Sequence, residues 1–314
     1  MHRKTPIVSI LVPTYQRPDL LARCLDKLRI ALNRQSHCFE LIVGDNSDLP
    51  KNRQITESFS NSWAGSVGYI GDSSGRNMQE NWNSLALNAK GSYLQYVHDD
   101  DYLLPNAGEH LLQVAKHHQH KPTPVKFAVS LVRLDESEIR IEGSSSVRAL
   151  SSSDAMRRML SESSYVRFPS MFLPRTQLID SGLFDAKAHI QDWPTWLELA
   201  KRHGIEERPE LTAAYTIHLG AGTNRQFQPD YLSELITLLN RYAAHFPSHE
   251  RPGLISKFVF KWIFAGSYRA WKNRDIESLR LRLEMMDHTM MAPYKCPLRW
   301  RGVLTFLTIA AKQG

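Results

Sequence analysis

The sequence predicts an α/β protein built on a mainly parallel β-sheet with helices on both faces. Short apolar runs have the length and composition of buried strands, and they alternate with segments whose apolar residues recur every three or four positions, as in amphipathic helices. Polar clusters follow three of these strands, at residues 13–17, 45–48 and 98–101. Parallel strands place their carboxyl ends at one edge of the sheet, where such sheets bind ligands.

The first predicted unit is a strand, a helix and a second strand. Residues 7–12 are apolar and end at Pro13, as expected for a buried parallel strand. An amphipathic helix begins near Pro18, because the leucines that follow recur at helical spacing. Residues 39–43 form the second strand and stop at the turn-forming run 44–48. A βαβ unit is therefore complete by about residue 45.

The following elements continue this alternation. Residues 67–70 predict a third strand, a helix covers about residues 77–89 and is ended by Gly91, and residues 93–97 predict another strand. One or two further strands are expected within residues 126–141. We expect nearly all of the chain beyond residue 230 to be helical.

The positive charge is concentrated at the C-terminal end of the chain. The net charge is +7, and residues 225–314 contain 14 Lys or Arg against 7 Asp or Glu, so this region accounts for all of the excess. Its last stretch, residues 297–307, joins a basic, Trp-containing start to an apolar run too short to span a bilayer. Two interpretations have equal weight: a region that lies on an anionic membrane surface, or a helical subdomain that packs on the α/β domain or on a second copy of the chain.

The sequence also indicates a cytoplasmic protein. No stretch of about 18 uncharged apolar residues occurs, and residues 1–6 lead into a strand without the apolar core and cleavage site of a secretory signal. Cys24, Cys38 and Cys296 have no CxxC spacing, which argues against a disulfide framework and a zinc site. We expect a cytoplasmic location, at the inner face of the cell membrane if the basic region binds lipid. No nucleic-acid-binding motif is present.

Three adjacent carboxylates, Asp99, Asp100 and Asp101, follow the strand at residues 93–97. Like charges in contact repel one another, and a bound divalent cation would offset that repulsion. A solvated acidic turn is the alternative, and the run by itself does not separate the two.

Several segments together resemble the family 2 inverting glycosyltransferases, which have the GT-A fold. The similar blocks, in the order of the family, are VSILVPTYQR at 8–17, IVGDNSD at 42–48, RN at 76–77 through Asn81 with AKGSY at 89–93, HDDDYLLP at 98–105, and SGLFD at 181–185 with QDWPTWL at 191–197. The resemblance spans about residues 6–223. It implies a GT-A catalytic domain over 1–224, with a nucleotide-sugar half over about 1–105 and an acceptor half over about 106–224, followed by the basic helical region.

The resemblance also implies a nucleotide-sugar donor site. Its residues would be Pro13, Thr14, Tyr15, Arg17, Asp45, Arg76 and Asp99. The Asp45 carboxylate can accept the imide N–H of a uracil-like ring, which favours a UDP-sugar, with dTDP- and GDP-sugars as alternatives. Arg76 would contact a phosphate or the base, and Asp99 would lie near the ribose or the metal. Alternatively, Asp45 serves only as the first residue of an Asx turn.

A divalent metal, Mn²⁺ or Mg²⁺, is implied at the diphosphate, with Asp100, Asp101 and His218 as its expected ligands. The metal would neutralise the charge that develops on the departing nucleoside diphosphate. The family's motif is usually Asp-x-Asp-Asp, and His98 stands here where its first Asp is expected. Alternatively, His218 has a structural role and does not bind the metal.

An inverting transfer needs a general base for the acceptor hydroxyl, and the resemblance assigns that role to Asp192. Gln191 replaces the acidic residue that precedes the base in the family. The alternative is that Asp192 simply caps the helix that begins at Trp193.

The predicted function is therefore metal-dependent inverting transfer of a sugar to a saccharide or lipid-linked saccharide acceptor, in glycan or polysaccharide synthesis, by a chain that is either monomeric or a homo-oligomer. Two other functions are alternatives. A nucleotidyltransferase should have a glycine-rich basic loop near its N-terminus, which residues 13–17 lack. A non-catalytic nucleotide- or carbohydrate-binding protein on the same fold is suggested by His98 and Gln191.

Overall fold

The protein is described here by a computed structural model, which covers residues 6–218 and 229–313. Its strands, in chain order, are β1 (Val8–Thr14), β2 (Phe39–Asp45), β3 (Ser66–Gly71), β4 (Tyr93–Tyr96), β5 (Tyr102–Leu103), β6 (Val125–Val132), β7 (Glu138–Glu142), β8 (Arg148–Leu150), β9 (Met171–Pro174) and β10 (Ile205–Thr216). Its helices are α1 (Pro18–Leu32), α2 (Pro50–Asn61), α3 (Met78–Asn88), α4 (Ala107–His117), α5 (Ser152–Ser161), α6 (Arg175–Asp180), α7 (Trp193–His203), α8 (Pro229–Ala243), α9 (Arg251–Lys272), α10 (Ile276–Glu284) and α11 (Arg301–Gln313).

The strands form one sheet in the order β3-β2-β1-β4-β9-β6-β10-β5, with β7 added beside β6 and β8 beside β10. The first four strands of this order are parallel, and β6 and β10 are a second parallel pair. Strand β9 joins the two parts through antiparallel pairing with β4 and β6. The predicted α/β fold with a parallel sheet is confirmed, and every predicted strand is present.

Helices cover the sheet on both faces. Every residue of β1 and β2 is buried, which requires packing against each face of those strands. Helix α1 contacts α2 and α4, and helix α6 contacts α3 and α7. The predicted amphipathic helix begins at Pro18 as expected, and its buried residues are its apolar ones, including Leu21, Leu25 and Leu28.

Two details differ from the sequence-based expectation. Strand β1 continues through Pro13 to Thr14, because β4 ends opposite Leu11 and Pro13 therefore pairs with β2 alone. A proline without an N–H is tolerated where one side of the ladder is already unpaired. Helix α2 was not predicted, since its sequence, PKNRQITESFSN, is polar and buries only Asn52, Thr56 and Phe59.

The chain divides into two compact units. One contains Met1–Ser152 and Val166–His218 and holds the sheet; the other contains Ser153–Tyr165 and Leu219–Gly314. The predicted domain boundary at residue 224 lies outside the described residues.

The second unit is helical. Helix α9 is its centre and contacts α8, α10 and α11. Helix α5 belongs to this unit, where Arg157 forms an ion pair with Glu250 and lies over the ring of Phe246. No helix within the described residues is long and apolar enough to cross a membrane.

A buried polar cluster fixes the start of β4 against β1 and β2. The carboxylate of Glu40 accepts hydrogen bonds from the Ser9 hydroxyl and from the backbone N–H of Lys90, and Gly91 N donates to Ser9 Oγ at 2.8 Å. Gly91 lies so close to β1 that a Cβ atom there would meet the backbone N of Ser9 at 2.6 Å. Only glycine fits this approach without moving backbone.

Replacing Gly91 by alanine should therefore lower the free energy of unfolding by about 1–3 kcal/mol, the usual cost of overpacking a buried site. The matched control is Gly68→Ala, since a Cβ on Gly68 meets nothing nearer than 3.6 Å. Urea denaturation of the two variants measures the difference. Equal stability of both variants would show that the contact between Gly91 and β1 relaxes at no cost.

Candidate functional site

The loop after β1 is bound directly to the acidic run after β4. Thr14 Oγ1 donates a hydrogen bond to Asp99 Oδ2 at 2.7 Å, and Arg17 Nη1 lies 3.1 Å from Asp100 Oδ2 and 3.5 Å from Asp99 Oδ1. These residues are more than 80 positions apart, and they meet because β1 and β4 are parallel neighbours with their carboxyl ends at the same edge. The structure thus brings together three of the predicted donor residues.

Each carboxylate of the acidic run has a different environment. Burial, together with the charge of Asp100, raises the pKa of Asp99 to about 6. The same two causes raise the pKa of Asp101 well above its usual value. Burial would also raise the pKa of Asp100, but the hydrogen bond with His218 and the nearby charge of Arg17 lower it. Asp100 is therefore the carboxylate that stays ionised most readily.

Two polar atoms beside Asp100 are buried and have no hydrogen-bond partner within the described residues. They are Asp101 Oδ2 and His98 Nε2. Asp101 is held in place through its other oxygen, which accepts a hydrogen bond from Thr216 N at 2.7 Å. A native fold seldom leaves buried polar atoms unpaired unless a ligand, ion or water completes them.

The ligand atoms offered by His98, Asp100 and Asp101 all lie within 4.8 Å of one another. Burial lowers the pKa of His98, so its imidazole is neutral and can donate a lone pair to a metal. One ring nitrogen and two carboxylates form a donor set that fits a divalent cation. Asp100 and Asp101 were predicted ligands, whereas His98 was not, although it occupies the first acidic position of the family's motif.

His218 lies beside this set. Its Nε2 is 3.0 Å from Asp100 Oδ2, and it follows β10 by two residues. Strand β10 pairs with β5 and β6, and this pairing brings His218 to the acidic run. The contact with Asp100 leaves two uses for the imidazole: to hold the carboxylate, or to share the metal with it.

Asp45 is fully buried and holds the loop after β2. Its carboxylate accepts hydrogen bonds from Ser47 N at 2.9 Å, Leu49 N at 3.0 Å, Asn52 Nδ2 at 2.9 Å and Tyr69 OH at 2.8 Å. Burial by itself would raise the pKa of Asp45, but these bonds lower it. The bond to Ser47 N is the Asx turn that the sequence allowed, and it places the neighbouring loop atoms at the edge of the sheet.

The remaining predicted donor residues surround the same edge. Tyr15 follows β1 and its side chain is 57% exposed, so its ring is open to a ligand. Pro13 is buried within β1. Arg76 forms an ion pair with Asp72, 2.7 Å from Nε to Oδ2, and Asn46 Nδ2 donates to the Arg76 carbonyl, which ties the loops after β2 and β3 together.

Asp192 occupies the N-cap position of α7, but its side chain makes no capping hydrogen bond. Instead Asp192 Oδ2 accepts a hydrogen bond from the indole Nε1 of Trp196 at 3.0 Å. Burial raises the pKa of Asp192, although the bond from Trp196 opposes the rise. The alternative in which Asp192 acts as a side-chain helix cap is not what the structure shows.

An aromatic cluster joins Asp192 to the metal-ligand set. Its members are Trp82, Tyr96, His98, Phe168, Phe184 and Trp196. The ring of Phe168 lies 4.4 Å from that of His98 and 5.3 Å from that of Trp196, centroid to centroid. Two ring contacts and one hydrogen bond thus connect His98 to Asp192. From sequence, residues 168–172 fit a core strand as well as a position beside an acceptor pocket, so the sequence by itself assigns Phe168 no role.

The chain matches the model of a known family. The family described as Glycosyl transferase family 2 matches residues 9–173, just over half of the chain, and the chain therefore belongs to it. The matched segment includes the loop after β1 and the acidic run, and it ends before Asp192 and His218.

Solved structures show the same fold along nearly the whole chain. TarS 1–349 from S. aureus, crystallised in complex with UDP, superposes with a TM-score of 0.62 at 14% identity, over 98% of this chain and 88% of that TarS 1–349 chain. The mannosyltransferase PcManGT from Pyrobaculum calidifontis, in complex with GDP-Man and Mn²⁺, has a TM-score of 0.56 at 15% identity, over 99% and 87% of the two chains. The predicted GT-A fold is confirmed.

One curated relative also matches. It is an uncharacterized glycosyltransferase of Haemophilus influenzae, 32% identical over 108 residues. The match covers 34% of this chain and 34% of the relative.

Proposed function

We propose that the protein is a metal-dependent inverting glycosyltransferase that moves a sugar from a nucleotide-sugar to a saccharide or lipid-linked saccharide acceptor. The observation that carries this proposal is the ligand set of half-buried His98 and Asp100 with buried Asp101, in which a buried imidazole nitrogen and a buried carboxylate oxygen lack partners within the described chain. It lies at the carboxyl edge of the parallel strands, beside Thr14 and Arg17. Membership of the family supports the reaction class.

The donor would bind over the loops after β1 and β2. The exposed ring of Tyr15 offers a stacking surface for a base, and the loop that Asp45 holds supplies polar atoms at its edge. Arg17, which contacts Asp100, and Arg76, which contacts Asp72, would supply positive charge to the diphosphate. TarS is bound to UDP and PcManGT to GDP-Man. Of these two donor classes we favour a UDP-sugar, with its base on the loop after β2 that Asp45 holds in place.

A divalent cation, Mn²⁺ or Mg²⁺, would be held by His98, Asp100 and Asp101, with His218 in contact with Asp100. When bound, it would neutralise the negative charge of the diphosphate leaving group. The mixed ligand set favours Mn²⁺, because imidazole suits transition metals whereas Mg²⁺ prefers oxygen ligands and water.

Asp192 would act as the general base. Its raised pKa makes it a stronger base than an ordinary aspartate, and the Trp196 indole fixes the direction of its carboxylate. The aromatic cluster would hold the Asp192 carboxylate at a fixed distance and direction from the metal-ligand set. Attack of the acceptor hydroxyl from the face opposite the diphosphate requires such a fixed geometry. We assign the catalytic domain to about residues 1–224.

Asp192→Asn should lower kcat by about 10²- to 10⁴-fold, the range for loss of a general base, while donor binding persists. Asp100→Asn should instead raise the metal concentration needed for half-maximal activity, on the order of 10- to 100-fold. Initial rates at varied metal and donor concentrations, measured with donor-hydrolysis or transfer assays, separate the two effects. Asp26→Asn, an exposed aspartate of α1, is the control. Full transfer activity in the Asp192 variant would remove the base assignment.

Trp196→Phe keeps an aromatic ring but removes the N–H that stabilises ionised Asp192. The pKa of Asp192 should rise, so the acid limb of the kcat/KM profile should move to higher pH. Trp82→Phe is the matched control, because the buried Trp82 Nε1 has no hydrogen-bond partner within the described residues. Identical pH profiles for the two variants would show that the indole of Trp196 does not tune the base.

His98→Asp restores the usual acidic residue of the family's motif and replaces an imidazole with an oxygen ligand. The ratio of activity with Mn²⁺ to activity with Mg²⁺ should fall in this variant relative to the native enzyme. His117→Asp, on the exposed end of α4, is the control. An unchanged ratio in His98→Asp would exclude His98 as a metal ligand.

A further inference from the structure

The last helix of the described chain, α11, has two apolar faces. Leu307 and Ala311 are buried against the helical unit. Val303, Phe306 and Ile309 recur every three residues on another side of the helix and are 40%, 46% and 49% exposed. One apolar face is enough to pack a surface helix, so the second needs another explanation.

This exposed face continues beyond α11. Leu298, in the turn before the helix, is 76% exposed. On α9, Tyr268 is 52% exposed and contacts Trp271, whose ring lies 5.0 Å from that of Phe306. We call Tyr268, Leu298, Val303, Phe306 and Ile309 the apolar patch.

Positive charge surrounds the apolar patch. Residues 288–314 contain four basic side chains, Lys295, Arg299, Arg301 and Lys312, and no Asp or Glu. All four are exposed. The guanidinium of Arg299 lies over the ring of Trp300, an arrangement of cation and indole that suits the boundary between headgroups and acyl chains.

A cavity of about 520 Å³ adjoins the patch. Its lining includes the cationic Lys261 and Arg299 beside the apolar Trp300 and Val303. Glu162 also lines it, and its charge is partly offset by Arg158 at 3.6 Å. Cationic and apolar side chains that line one cavity match the chemistry of a phospholipid, whose phosphate is attached to acyl chains.

We propose that the apolar patch and the basic residues around it bind the protein to the surface of an anionic phospholipid bilayer. The apolar side chains would enter the boundary region, while Arg299 and Arg301 would pair with lipid phosphates. Charge complementarity favours this occupant over an apolar protein surface. Residues 288–314 carry four positive side chains and no negative one, which an anionic bilayer attracts and an uncharged partner does not.

Co-sedimentation with vesicles tests the proposal on the full chain, without donor, acceptor or metal, so that its failure leaves the proposed reaction untouched. Vesicles of phosphatidylglycerol and phosphatidylcholine should bind the protein, and vesicles of phosphatidylcholine alone should bind it much less. Arg299→Ser with Arg301→Ser should lower the partition coefficient about 25-fold, since each charge near the surface contributes about fivefold. Raising the salt concentration should weaken binding in the same direction.

Val303→Asp with Phe306→Asp should abolish vesicle binding. Because Phe306 also contacts Trp271, Val303→Asp with Ile309→Asp provides a second variant that leaves that contact intact. Ile30→Asp with Leu87→Asp, on exposed apolar residues of the other unit, and Arg34→Ser with Lys116→Ser are the controls for the two kinds of change.

Unchanged binding in both Asp variants, or no binding by the native protein, would overturn the proposal. So would a native dimer that the Val303 and Ile309 changes convert to monomer in sedimentation velocity, because the patch would then be covered by a second copy of the chain.

Discussion

The grouping of three carboxyl groups at residues 99–101 is the constraint on which the neighbouring structure depends. Two of these carboxylates are almost completely buried, and all three follow one strand end. Thr14 and Arg17 from the loop after β1, Arg23 from α1, and His218 after β10 each contact this run. Residues that follow β1 and β10 are thereby brought to the end of β4. Even so, Asp101 Oδ2 remains without a hydrogen-bond partner in the described chain. A bound cation would complete the contacts of this buried oxygen.

The aromatic cluster extends this organisation to the second half of the catalytic unit. His98 comes from the end of β4, Phe168 from the turn before β9, and Trp196 from α7. Aromatic side chains have few rotamers, so packed rings fix the relative positions of the segments that carry them better than flexible side chains do. The departure from the family's motif at His98 acquires a structural reason here, since an imidazole both stacks on Trp82 and offers a nitrogen to the ligand set.

Much of this arrangement follows from local sequence. Sequence predicts the buried strands and the helix that begins at Pro18, because hydrophobic periodicity is a property of neighbouring residues. It also predicts the position of the acidic run, because that run directly follows a parallel strand. The bond between Trp196 and Asp192 could not be predicted, although a four-residue spacing on a helix permits it. The bonds from Asn52 and Tyr69 to Asp45 and the grouping of residues 153–165 with the C-terminal helices were also beyond prediction, since they depend on how separate elements pack.

The central claim is that one site binds a nucleotide-sugar through a divalent metal on His98, Asp100 and Asp101. Thermal unfolding in the presence of UDP-, dTDP-, GDP- and CMP-sugars, each with and without Mn²⁺, tests it most directly, because a ligand that binds the native state raises the unfolding temperature. The account predicts stabilisation by one nucleotide, only when Mn²⁺ is present, and its loss in Asp100→Asn. Equal stabilisation without metal, or none by any of the four donors, would contradict it.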